Sequence, residues 1–370
     1  MSRNGYSKKG TPLMPEFDLI SLGEVMLRFD PGEGRIKNAH TFEVWEGGGE
    51  YNVARGLTRC FGLNTAILTA LVENEVGLLV ENLIRQGGVD TRLIKWQPFD
   101  GIGEASRNGL NFTERGFGIR AALGVSDRGH TAISQLKSQE IDWDWVFTQK
   151  GCAWFHTGGI FSSLSQQSAE VAEVAMKAAK QSGAVVSFDV NYRPSLWKGR
   201  GGSDAAQTLN NALVQHVDVL FGNEEDFKVA LGAKTEMNDS EYLELNIGAY
   251  KDLILETAMR FPNLSKIAIT MREATTASFN DWSALAWSKD EGFVEGTHYQ
   301  NLQIMDRVGG GDSFASGFIY KALQSASLEE ALAYGLAHGA LAMTTPGDTS
   351  MASRIEVERV VQGNSARVQR

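Results

Sequence analysis

The residues best suited to chemistry in this 370-residue chain lie together near its C-terminal end. There Asp306-Arg307-Val308-Gly309-Gly310-Gly311-Asp312-Ser313-Phe314-Ala315-Ser316-Gly317 sets three glycines directly before an aspartate. The apolar-periodic segment Phe314 to Leu323 predicts a helix that begins at this run. A glycine-rich helix start leaves backbone N–H groups bare at the positive end of the helix dipole. Such a cradle suits a phosphate whose charge grows during transfer. Asp312, beside it, can take the proton of an attacking hydroxyl. Gly309, Gly310, Gly311 and Asp312 are therefore candidates for the catalytic centre of a phosphoryl transfer. Read alone, the same residues also suit a plain turn with Asp312 as a helix cap.

Three further clusters could carry chemistry. Gly47-Gly48-Gly49-Glu50-Tyr51-Asn52-Val53-Ala54 opens another predicted helix. Its amides and Asn52 can hydrogen-bond the hydroxyls of a closely approaching ligand, which makes Gly48, Gly49 and Asn52 candidate substrate contacts. A dinucleotide fingerprint begins similarly, but its third glycine would fall on Asn52, and no buried strand precedes it. In Asp189-Val190-Asn191-Tyr192-Arg193-Pro194-Ser195-Leu196-Trp197, Arg193 stands just past a predicted strand. Its planar fork can clasp a carboxylate or phosphate bidentately. Asn223-Glu224-Glu225-Asp226 offers hard oxygen donors suited to magnesium, or else a cap at a helix start.

Short apolar runs must position these residues. Strands are predicted around 18–23, 65–70, 153–156, 185–189, 217–221 and 267–270, with helical patterns between many of them, such as 165–182 and 205–216. This alternation predicts an α/β fold with a mainly parallel sheet and helices on both faces. Polar clusters follow strand ends at Glu73-Asn74, His156–Gly159, Asp189–Arg193 and Asn223–Asp226. Ligands bind outside the carboxyl ends of strands in such sheets, so the clusters predict one shared site. Segments 25–45 and about 93–123 break the alternation with period-two patches and many glycines, which predicts a separate small β-sheet. The long acidic stretch 231–260 reads as an extra helical excursion.

Composition narrows the partners. With 42% hydrophobic residues the chain can bury a sizeable core, and its net charge is −10. No basic block appears, so neither nucleic acid nor a membrane surface is expected as partner. Two distant cysteines, Cys60 and Cys152, and six scattered histidines show no metal-ligand spacing, which fits a reducing compartment. Residues 1–16 are polar and read as a disordered lead-in, 17–361 as the folded domain, and 362–370 as a tail. No run approaches about 18 apolar residues, and a cytoplasmic location is expected.

The motif at 306–317 closely resembles the C-terminal signature of the PfkB (ribokinase-like) carbohydrate kinases, with Arg307 for the usual threonine and Gly310 for alanine. The Gly48–Ala54 segment resembles the N-terminal signature, with Tyr51 for a small residue. The Asp189–Trp197 pattern resembles the 2-keto-3-deoxygluconate kinases, with fructokinases close behind. The resemblance implies a ribokinase-like α/β kinase that uses ATP and Mg²⁺, with a β lid from 25–45 and 93–123. It implies Asp312 as base and ATP contacts from Asn191, Arg193, Asn223, Thr270, Gly309 and Gly311. Substrate contacts would come from Gly48, Gly49, Asn52, Arg193 and the lid arginine Arg120. Glu225 and Asp226 would serve magnesium through water. The Met271–Thr275 loop departs from the glycine pattern expected after Thr270. The implied acceptor is a sugar or sugar acid of the 2-keto-3-deoxygluconate type, and the lid would pair subunits in a homodimer. A ketose kinase and a non-catalytic sugar or nucleotide binder are the alternatives.

Overall fold

A computed structural model describes residues 15–234 and 246–363. The expected lead-in therefore lies almost wholly outside the described residues, as do most of the tail and part of the 231–260 excursion. Of that excursion, Ile247–Arg260 is a helix capped by the Asn246 side chain.

The main sheet holds nine strands among the described residues. Thr65–Leu68, Phe17–Leu22, Cys152–Gly158, Val185–Asp189, Val219–Gly222 and Lys266–Ala274 lie side by side in that order, all parallel. Phe279–Ser288 then adds antiparallel to Lys266–Ala274, and Gly292–Glu295 and Tyr299–Gln303 both pair with it. The near-continuous apolar sequences of the central strands suit burial on both faces. One face packs against the helices Gln166–Gln181, Gly202–Val214 and Ile247–Arg260 through Val186, Phe188, Val171 and Leu253. The other packs against Gly49–Phe61, Gly310–Leu323 and Leu328–Ala342 through Leu19, Phe221, Phe314 and Leu336. A three-layer α/β/α body results, with the parallel strands ending on one side.

A four-stranded sheet stands apart, ordered Glu43–Gly47, Met26–Asp30, Leu110–Glu114 and Leu123–Asp127. Asn111 and Thr113 on its inner face line a cavity, while Phe29 and Phe112 stack on its outer face at 5.0 Å. Lys95–Gln97 is not part of this lid. It pairs in parallel with Ala70–Val72, because the chain there returns to the body after the Glu75–Gln86 helix. The lid's last strand runs past residue 123, to Asp127.

Candidate active site

Among the described residues, the lid, the carboxyl ends of the parallel strands and two helix starts enclose a cavity of about 710 Å³. Two long helices that open on it differ from five others among the described residues, though not from Gly202–Val214, which also lacks a side-chain cap. Those beginning at Glu75, Gln166, Ile247, Leu328 and Arg354 are each capped by a side chain. Those beginning at Gly49 and Gly310 have no side-chain cap, so their first amides stay free for a ligand. Glycine is required at each approach. A Cβ on Gly48 would lie 1.9 Å from the Glu24 carbonyl oxygen, and one on Gly309, at φ +80°, would lie 1.9 Å from that of Asp348. A Cβ on Gly311 would meet nothing within 4 Å, because that residue faces the open cavity.

Asp312 sits between the two helix starts. Its Oδ2 accepts a hydrogen bond from Asn52 Nδ2 at 2.7 Å, while Asn52 Oδ1 accepts one from the Gly48 amide at 3.3 Å. Burial pushes the Asp312 carboxyl up to about 6, helped by the charge of Asp348 and opposed by the Asn52 hydrogen bond and Arg193. The side chain is thus ionised at neutral pH but basic for a carboxylate, as a proton acceptor should be. Two neighbouring acids are driven further. Burial above all, then nearby carboxylates, raises both Glu50 and Asp189 to about 8. Both therefore hold protons at neutral pH. Asn191, on the cavity wall, adopts a left-handed backbone at φ +41°, a strained conformation of the kind that gathers at functional sites.

The cavity brings together Gly48, Gly49, Asn52, Asn191, Arg193, Asn223, Glu225, Asp226, Thr270 and Gly309–Asp312. Arg120 is not among them. Its Nη1 donates to the Arg115 carbonyl at 3.0 Å, and Glu114 lies 3.9 Å away, so it is spent within the lid loop. The lid arginine that does reach the cavity is Arg128, one residue past the Leu123–Asp127 strand, paired with Glu24 at 2.7 Å. Its signal in the sequence is only its place at a strand end. Asp226 is buried, and its two oxygens accept the backbone N–H groups of Tyr192 at 2.6 Å and Asn223 at 2.7 Å. It holds the loop together, whereas Glu225 is exposed to the cavity. No cluster of three or more metal-ligating side chains occurs among the described residues.

Behind the cavity wall lies a fully buried guanidinium that no motif marks. Arg28 pairs with Asp30 at 2.9 Å, with Asp348 at 2.5 Å and with Asp306. It joins a lid strand to the loop before Gly309 and to the loop after the Leu328–Ala342 helix.

Residues 17–355 match the family described as pfkB family carbohydrate kinase. The 2-dehydro-3-deoxygalactonokinase of Haloferax volcanii is 30% identical over 95% of this chain and 99% of its own length. A 5-dehydro-2-deoxygluconokinase of Clostridium botulinum is 26% identical over 88% of this chain and 87% of its own. The crystal structure of the 2-dehydro-3-deoxygluconokinase from Thermotoga maritima superposes with a TM-score of 0.84 at 33% identity, covering 93% of this chain and 99% of that one.

Proposed function

The chain belongs to the pfkB family of carbohydrate kinases, and from that premise we propose that it moves the γ-phosphoryl group of ATP to a hydroxyl of a 2-keto-3-deoxy sugar acid. The placement of Asp312 between Asn52 and the uncapped Gly310 helix start carries this reading. Asp312 accepts the acceptor's proton as the O–P bond forms, and the γ-phosphate breaks from ADP. The amides of Gly310, Gly311 and Asp312 receive the charge that builds on the transferring oxygens. Asn52 holds the carboxylate in place. Arg193 reaches from the Val185–Asp189 strand end toward both the acceptor and the phosphates.

The sugar-acid relatives support an anionic acceptor, and Arg128, although paired with Glu24, is the lid arginine that lines the cavity with Asn111 and Thr113. Magnesium carried by the nucleotide would neutralise its phosphates. Glu225 is an exposed hard oxygen donor that fits it, and Asp226 can reach it only through water. The test is ATP consumption with 2-keto-3-deoxygluconate, 2-keto-3-deoxygalactonate, 5-keto-2-deoxygluconate and fructose. One of the acids should exceed fructose in kcat/KM by about ten-fold or more, as a charge-assisted contact provides. Fructose as the better substrate would replace this reading with a ketose kinase. Absence of turnover with every acceptor would favour a binding protein.

The outer face of the lid supports a homodimer. Val44, Leu123 and Val125 are 38%, 46% and 48% exposed beside the Phe29–Phe42–Phe112 cluster. Light scattering should give a dimer mass for the native chain and a monomer mass for Val125→Glu.

A further inference from the structure

We propose that Arg272 and Arg307, together with Arg193, form a guanidinium clamp that grips the polyphosphate of the nucleotide. The proposal rests on the kinase reading above and adds two residues to its phosphate site. Three separate elements deliver the three side chains to the same cavity. Arg193 follows the Val185–Asp189 strand. Arg272 lies two positions beyond Thr270 on Lys266–Ala274, and therefore on the same face of that strand. Arg307 immediately precedes the glycine run.

None of the three forms a salt bridge among the described residues, and all three are exposed to the cavity. Arg193 donates to the Tyr192 carbonyl at 2.8 Å. The carboxylate whose charge acts on Arg272 is Glu224, from the end of the neighbouring Val219–Gly222 strand. Crowding by protein and the charges of Arg307 and Arg193 hold the Arg272 guanidinium below its ordinary pKa, with Glu224 opposing them. Arg193 lies within electrostatic reach of Asp189, Asp226 and Asp312, whereas Arg272 and Arg307 repel one another, and their placement becomes favourable when a multiply charged anion enters.

Position decides which anion. The sugar-side groups Gly48, Asn52 and Arg128 come from the lid and the helix start beside Phe17–Leu22. Lys266–Ala274 lies four strands away from Phe17–Leu22 across the sheet. The clamp therefore faces the phosphate donor. It supplies at positions 272 and 307 the charge that a glycine loop and a threonine lack, and guanidinium forks suit phosphate oxygens bidentately.

The test compares ATP, AMP and inorganic tripolyphosphate, measured by calorimetry without acceptor, in the native chain, Arg272→Met, Arg307→Met and the double variant. Thermal unfolding checks each fold. The double variant should bind ATP and tripolyphosphate about ten-fold or more weakly while its affinity for AMP changes less than about two-fold. Arg272→Lys should be intermediate, and the KM for the sugar acid should stay unchanged in every variant. Unchanged tripolyphosphate binding, or an equal loss for AMP, would overturn the clamp. A failure of the kinase reading would look different: the native chain would show no ATP-dependent turnover, and the tripolyphosphate comparison would still judge the clamp.

Discussion

At the residue scale the site depends on how one carboxylate is kept ionised while its neighbours are not. Asp312, raised to about 6, loses its proton as pH rises through that value, so kcat/KM should climb between pH 5 and 7 and then level. Removing the Asn52 hydrogen bond, which lowers the Asp312 pKa, should move this acid limb to higher pH in Asn52→Ala. Asp312→Asn keeps the shape but not the proton acceptor, and kcat should fall on the order of 10²–10⁴ with ATP affinity retained. Retention of more than about a tenth of kcat would place the base elsewhere. Glu50 acts on stability with the opposite pH sense. Well below 4.5 it is protonated in both folded and unfolded chains, and its titration makes no difference. Between 4.5 and about 8 the unfolded chain has released the proton and the folded one has not, so stability falls as pH rises. Glu50→Gln removes this loss. Urea unfolding at pH 5 and pH 8 should show the variant gaining on the native chain at the higher pH. Asp312 and Asn52 could be singled out from sequence because each lies in a contiguous glycine motif. Their hydrogen bond spans 260 positions and could not be read there. Arg128 escaped for a related reason: its partner Glu24 is 104 positions away, and no local pattern distinguishes it from Arg120.

At the element scale, two uncapped helix starts face each other across Asp312, and their glycines have separable jobs. Gly309 is needed for folding, since its positive φ and the Asp348 carbonyl leave no room for a side chain. Gly309→Ala should therefore lower the unfolding midpoint as well as kcat. Gly311 borders open space, so Gly311→Val should unfold within about two degrees of the native chain yet lose most of kcat, with the acceptor KM little changed. Equal thermal losses in the two variants would mean that Gly311 is also structural. The parallel strands and main helices were legible because apolar runs of strand length alternate with helical periodicity. The lid edges were less so. Lys95–Gln97 resembles a lid strand in composition, and only its parallel pairing with Ala70–Val72 assigns it to the body.

At the scale of the whole molecule, the lid and the anion-binding loop are joined through Arg28. Its guanidinium meets the carboxylates of Asp30, Asp306 and Asp348 where water is excluded, so its removal leaves Asp306 and Asp348 without their cation, while Asp30 keeps Arg115 at 3.3 Å. Arg28→Met should cost about 3–5 kcal/mol in denaturant unfolding. A loss below about 1 kcal/mol would show that the carboxylates find other compensation. Nothing near Arg28 in the sequence points to this role, because Asp306 and Asp348 lie 278 and 320 positions downstream.

Those separations bear on the order in which the ribosome delivers the chain. Met26–Asp30 is synthesised long before two of the acids that neutralise its buried arginine, Asp306 and Asp348. A nascent chain stopped before Asp306 holds Arg28 with Asp30 alone. Until the final turns appear, the lid root should remain open to protease, and it should become resistant in one late step once Asp348 leaves the exit tunnel. Stalled chains ending near residue 340 and released chains that include Asp348 should therefore differ in cleavage at the early lid strand, far from where their sequences differ.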